Sequence, residues 1–226
     1  MNNEKKRHVI PGETIVSGAY RAEQNTVMEG NKIIATTIGL SDIHDGSVRV
    51  IPLTGGYVPR DDDLVIGKIT SHSAMSWEVN INSCYSGMLP ATDVFGRDFS
   101  SHLDDLSSKL GNGDLIAARI VNADKTRDPL LTISGRELGK IDSGELMNIS
   151  PSKVARLIGK RGSMIQMIES GSNAQITIGQ NGLIVVACDD SEGLLKAVKA
   201  IELVEEKAHV ANLTDQISEM LGLKSD

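Results

Sequence analysis

The sequence predicts a multidomain chain, mainly β up to about residue 140 and α/β beyond it. Two observations carry that prediction. Short β-branched, partly alternating segments punctuated by Gly, Asn and Asp recur through the first part. Two short helical patterns then flank Gly159-Lys160-Arg161-Gly162, and a hairpin and a long amphipathic helix follow. A chain of 226 residues has room for two to three small domains. The pattern divides it into 1–57, 58–140 and 141–226.

In the first segment Pro11-Gly12 follows a basic tip. Lys32 to Leu40 and Ser47 to Leu53 read as strands, with Glu29-Gly30-Asn31 and Asp45-Gly46 as turns ahead of them and Gly55-Gly56 closing the segment. This makes a small antiparallel β unit with little core of its own.

The second segment opens on Asp61-Asp62-Asp63, which reads as a solvated domain edge rather than a metal site. Strands follow at Leu64 to Thr70, at the strictly alternating Trp77 to Ile81, and at Ser86 to Pro90. A polar stretch from Ser100 to Leu110 has a helical reading. Leu115 to Val121 and Leu130 to Ser134 complete five strands with one long insertion after the third, which is what a small Greek-key barrel needs.

The third segment carries the clearest signals. Gly144 to Ile149 reads as a strand, and Ser150-Pro151 supplies a cap and a first-turn proline for a helix with Val154, Leu157 and Ile158 on one face. A second helix after the Gly159–Gly162 loop has Met164, Ile165 and Ile168 as its apolar stripe. Gln175 to Ile178 and Leu183 to Ala187 are strands joined across Asn181-Gly182, the strongest hairpin signal in the chain. Ser191 then opens a helix with Leu194, Val198, Ile201 and Val204 on one face.

Composition excludes several function classes. Cys84 and Cys188 are far apart and outside any Cys-x-x-Cys pair, so neither a disulfide framework nor a zinc site is expected, and a reducing compartment is the natural setting. The polar N-terminus lacks the apolar core of a signal peptide, and no apolar run is long enough for a membrane span. A soluble, cytoplasmic protein is expected. His8, His44, His72, His102 and His209 are scattered, with no H-E-x-x-H and no nucleophile elbow, and Gly159-Lys160 lacks the flanking residues of a P-loop. No catalytic residue, metal or cofactor is expected. The net charge of −7 and the 3% aromatic content point away from a strongly basic, base-stacking nucleic-acid binder. Any RNA binding must come from local patches and should be weakly selective.

The order β-α-α-β-β-α with a Gly-x-x-Gly loop between the first two helices resembles a type I KH domain, and Leu157 to Ile168 (LIGKRGSMIQMI) resembles its signature closely. Glycines let the backbone lie against a nucleic-acid backbone, the second helix offers free N–H groups to phosphate, and Lys160 and Arg161 add charge. The resemblance implies RNA contact by Gly159, Lys160, Arg161, Gly162 and Ser163, with Lys153, Arg156 and Ile158 beside them. The second segment resembles an S1-type OB-fold. It departs from that family's aromatic pair, since only Trp77 falls near an aromatic position, and Pro90 stands near the family's usual His. Trp77, Lys68, Arg97, Arg119 and Arg127 are its RNA candidates, with Lys125 and Arg136 as further phosphate contacts.

Taken whole, with the motifs VIPGETI, DGSVRVIPL and LTISGRELGKI, the chain resembles the S1–KH cap subunit of the archaeal exosome. That resemblance implies an accessory subunit that recruits single-stranded RNA to the pore of a ring of RNase PH-like subunits for 3′-to-5′ degradation. It implies three copies per ring, alone or mixed with a cap subunit of the zinc-ribbon type, and docking through the N-terminal β domain. A stand-alone RNA-binding protein associated with ribosomes or translation is the alternative, and a structural scaffold is a third reading.

Overall fold

The computed structural model of the chain describes residues 7–53, 55–102, 104–124, 126–208, 210 and 212–222. By contacts the chain divides into two compact units, Met1–Gly55 and Gly56–Asp226.

The first unit contains β1 (His8–Val9), β2 (Thr14–Ser17), β3 (Arg21–Ala22), β4 (Thr26–Glu29), β5 (Lys32–Ala35), β6 (Gly39–His44) and β7 (Ser47–Pro52). They form two sheets, β1-β6-β7-β3 and β2-β5-β4. The run expected as one strand from Lys32 to Leu40 is therefore two. Its first half pairs with β2 and β4, and its second half with β1 and β7. The inward alternation survives the corner, since Ile33, Ala35, Gly39 and Ser41 are all buried. One apolar face thus serves both sheets. Gly39 allows the close approach there, because a Cβ would stand 2.2 Å from the Ile51 carbonyl oxygen. Val9, Ala35 and Val50 form the small core, with Ile15 against it.

The second unit opens with β8 (Leu64–His72), β9 (Ser76–Asn80), β10 (Ser86–Pro90), β11 (Leu115–Asn122) and β12 (Leu130–Thr132). Their order is β12-β10-β9-β8-β11, and a further β12–β11 pairing closes the barrel. A short β13 (Gly139–Ile141) extends the sheet along β11. Val65, Ile69, Val79, Ile81, Leu89, Ile116 and Ile120 fill the interior. The acidic triplet is knitted into this unit. Asp61 accepts from the Ala123 amide at 2.6 Å, and Asp63 accepts from the Tyr57 hydroxyl at 2.6 Å. Burial and the Asp63 carboxylate push that phenol well above its ordinary range.

Two expectations need correction. The described residues of the polar stretch Ser100–Leu110 form no α-helix and hold a 3-10 turn at Leu106–Ser108, and the insertion's α-helix is α1 (Ala91–Phe95). Asp and Ser side chains there bind the backbone locally: Asp104 accepts from the Ser100 amide and Asp105 from the Ser107 amide. Such bonds compete with helix formation. Trp77 is not on an RNA face. It is fully buried, stacks on Phe95 with ring centroids 6.2 Å apart, and donates its Nε1–H to the Leu110 carbonyl at 2.9 Å. It secures the insertion, whose Leu106 and Leu110 belong to the barrel core.

The remaining elements are β14 (Glu145–Asn148), α2 (Pro151–Ile158), α3 (Ser163–Ser172), β15 (Gln175–Ile178), β16 (Leu183–Ala187), α4 (Ser191–Lys207) and α5 (Leu213–Met220). The sheet runs β14-β16-β15, antiparallel throughout. Val154, Leu157, Met164, Ile168, Ile184, Val186, Ile201 and Val204 make its core, closed by Leu213 and Ile217 of α5. The element order is the one the KH resemblance predicts.

A seam joins this module to the barrel. Ile66 on β8 and Ala117 on β11 point away from the barrel interior by strand alternation, yet both are buried. The turn Gly179–Gly182 between β15 and β16 covers β8. The Gln180 amide donates to the Leu64 carbonyl at 2.7 Å. The buried Asn181 side chain accepts from the Ile66 amide at 3.3 Å and donates to the carbonyls of Ile66 at 2.7 Å and Ile81 at 2.8 Å. β9 pairs with β8 only from Lys68 onward. The carboxamide therefore supplies the peptide-like partner that β9 no longer provides at Ile66.

Replacing Trp77 with Ala should cost about 3–5 kcal/mol of stability, as for a large core aromatic. Urea unfolding of the variant checks this; a loss within a few tenths of a kcal/mol would return Trp77 to the surface.

Candidate nucleic-acid interface

The loop after α2 is shaped by two left-handed positions and a close contact. Gly159 has φ +75°, and a Cβ there would lie 2.7 Å from the Met164 amide nitrogen. Arg161 (φ 57°, ψ 31°) and Gly162 (φ 82°) both turn left-handed before α3 begins. The loop backbone thus folds onto the start of α3, where no side chain caps the helix. The Ser163 amide donates to the Lys160 carbonyl, and the positive end of a ten-residue helix lies at the loop.

Charge collects at the same place. Between Leu146 and Ile168 the chain carries Lys153, Arg156, Lys160 and Arg161 and no acidic residue. Arg156 is exposed in the last turn of α2, four residues before Lys160. Lys160 and Arg161 are exposed, and their side chains make no hydrogen bond or ion pair with any described residue. Ser163 is exposed, while Ile158 and Ile165 are half-buried against the core beside the loop. Donors, free cations and an adjacent apolar strip are the groups that hold a single-stranded backbone and tolerate any base.

Lys153 does not belong to that set. Its Nζ donates to the Glu205 carboxylate at 2.9 Å and to the Glu205 carbonyl at 2.7 Å. The same carboxylate accepts from the Ser150 amide at 3.0 Å and hydroxyl at 2.8 Å, so it caps α2 from across the module. Partial burial acts to raise the Glu205 pKa, but the bonds from Lys153 and Ser150 outweigh it and hold the carboxyl below its ordinary range.

The barrel candidates do not converge. Lys68 and Arg119 stand exposed on neighbouring strands β8 and β11, Arg119 donating to the Asp62 carbonyl at 2.7 Å. Arg97 lies in the insertion and Arg127 in the β11–β12 loop, both exposed; Arg136 follows β12. Lys125 and His209 lie outside the described residues. The outward positions of β9 and β10 are Ser76, Glu78, Asn80, Ser86, Met88 and Pro90, with no aromatic ring among them. Beside them a notch of 270 Å³ is lined by His72, Met88 and Asp128 among others. Among the described outward positions of these two strands, base stacking therefore has no aromatic platform. Among the described residues no group of three or more His, Cys, Asp or Glu side chains could hold a metal ion, and no helix is long and apolar enough to cross a membrane.

Comparison with known proteins agrees with this layout. Residues 6–54 match the family described as the exosome RNA-binding protein RRP4 N-terminal domain, and residues 144–203 match the KH domain family. Over 223 residues, covering 99% of both chains, the sequence is 66% identical to the exosome complex component Rrp4 of Nitrosopumilus maritimus. The chain belongs to the Rrp4 family. A Methanobrevibacter smithii member is 41% identical over 99% of this chain and 73% of its own length. A crystal structure of a candidate exosome complex RNA-binding protein superposes with a TM-score of 0.70 at 40% identity, covering 74% of this chain and 96% of that one. In this Rrp4-family chain the barrel occupies the stretch between the two matched segments.

Sequence reasoning missed the roles of Asn181 and Glu205. Asn181 carried a visible signal, since Asn-Gly marks a turn, but its use as a seam contact depends on a barrel more than 100 residues away in sequence. Glu205 gave none, because its partners lie 52 to 55 residues off.

A depressed carboxylate pKa stabilises the fold above the unfolded-state value, and that contribution is lost as pH falls through the folded value. The advantage of the wild type over Glu205→Gln should be full at neutral pH and amount to about 1 kcal/mol or less, since the pair is partly exposed. It should vanish once the pH drops below the ordinary carboxylate range. Urea titrations at a series of pH values measure this, and a difference that grows on acidification would refute the clasp.

Proposed function

We propose that this chain is a non-catalytic RNA-binding cap subunit of an exosome. It recruits single-stranded RNA and guides the 3′ end into the pore of a ring of RNase PH-like subunits for 3′-to-5′ degradation. The observation that carries the reading is the exposed Gly159–Gly162 loop, with Lys160 and Arg161 free, in a chain that matches exosome components over its whole length.

The first unit suits the role of ring contact. Ile10, Val27, Met28 and Ile38 are each about half exposed or more, and Val27 and Met28 lie on the edge strand β4. Exposed apolar residues on an open strand edge favour a partner. The acidic balance suits a subunit that acts in several copies: three per ring, alone or mixed with the zinc-ribbon cap type, raise the effective concentration without tight individual binding. The setting is cytoplasmic.

Three outcomes follow. A tagged chain pulled from its native extract should bring RNase PH-like subunits with it; recovery of ribosomal proteins in their place would move the protein to the translation machinery. RNA affinity should be weak for the isolated chain and rise on ring assembly in a filter-binding titration, and equal affinities would refute the shared-cap role. Changing both Lys160 and Arg161 to Asp should weaken RNA capture and flatten the salt dependence by about 1.4 in log–log slope. Ring assembly of that variant, followed by size exclusion, should be unchanged.

A further inference from the structure

The seam at Asn181 connects the two surfaces that would meet RNA. Behind the Gly159–Gly162 loop, α3 runs directly into β15, and β15 ends in the turn that carries Asn181. On the barrel side, Asn181 grips Ile66 of β8. Lys68 lies two residues further along that strand on the same outward face, about 7 Å away. Arg119 pairs across from Leu64, whose carbonyl accepts the Gln180 amide. The two exposed barrel cations therefore flank the seam. Asn82 reinforces it, donating to the Asn181 carbonyl at 2.8 Å and to the Asn148 side chain at 3.3 Å. Gly179 leaves no slack, because a Cβ there would stand 2.7 Å from the Ile66 amide nitrogen.

We propose that Asn181 is a positioning residue for RNA, locking the loop cations and Lys68 and Arg119 into one rigid track. The inference rests on the RNA-binding reading above. A strand held at the loop meets the barrel cations at a set distance, so the second contact is intramolecular and gains from effective concentration. Asn181 touches no RNA itself. An isolated side-chain amide does this because it donates and accepts at once, as a peptide does. A carboxylate at the same place would keep the bond from the Ile66 amide and lose both donations.

The test compares two oligoadenylates on the full chain. One is about four nucleotides long, the length a KH loop clamps, and the other is several times longer. The wild type should bind the longer one more tightly. Asn181→Ala and the isosteric Asn181→Asp should lose that excess, by about tenfold or more, while short-oligomer affinity stays the same. Folding is monitored separately for the two halves. Trp77 is the sole tryptophan and sits in the barrel, whereas α2 to α5 dominate the helical circular dichroism. In the wild type both signals should melt together, and in the variants they should separate. An equal loss for both lengths, or an undiminished excess in a variant whose two transitions have separated, overturns the inference. So does a wild type that binds both lengths equally, which leaves RNA binding at the loop intact. If the wild type binds neither, the RNA-binding reading falls and takes this inference with it.

Discussion

Three backbone groups of the barrel depend on one side-chain amide. Where β9 parts from β8, the Ile66 amide and the carbonyls of Ile66 and Ile81 would be buried without partners, and Asn181 of the KH module satisfies all three. Leaving such groups unpaired costs roughly 1–3 kcal/mol each. An apolar contact could bury Ile66 and Ala117 equally well, but it would slide. The hydrogen-bonded amide gives the seam a single register. The barrel and the KH module lie within one compact unit from Gly56 onward.

Electrostatics in this chain is a local matter. A net charge of −7 offers phosphate no long-range attraction. The stretch around the loop reverses that sign by excluding acids altogether, while Lys153 is taken out of play by Glu205. What remains is a small cationic point at the start of α3, within reach of RNA only at short range at physiological salt.

Legibility followed the range of the forces involved. The KH elements were plain in the sequence because each rests on local rules: Pro151 starts α2, Gly159 stops it, and alternation marks β16. The barrel strands were plain for the same reason. The corner between β5 and β6 was hidden because inward alternation continues through it, and a periodicity cannot tell which sheet a residue joins. The two-residue strands β1 and β3 have no period at all. At the site, Lys160 and Arg161 were readable from their loop. Trp77 misled because an aromatic on an alternating strand fits either face, and only the insertion packed against it decides. Lys153 misled because its partner comes from the far end of α4.

The turn between β15 and β16 has a consequence for how the family can diversify. A hairpin tip that faces solvent tolerates insertions and drifts freely in length. Here Gly179 is pressed against β8, Gln180 and Asn181 are spent on it, and Gly182 abuts the Ile149 carbonyl. Every residue of the tip is committed, so even one added residue would pull the amide out of its socket. Descendants of this sequence can lengthen the insertion after β10 or recolour the barrel surface. This tip must be inherited whole, or change together with the strand it grips.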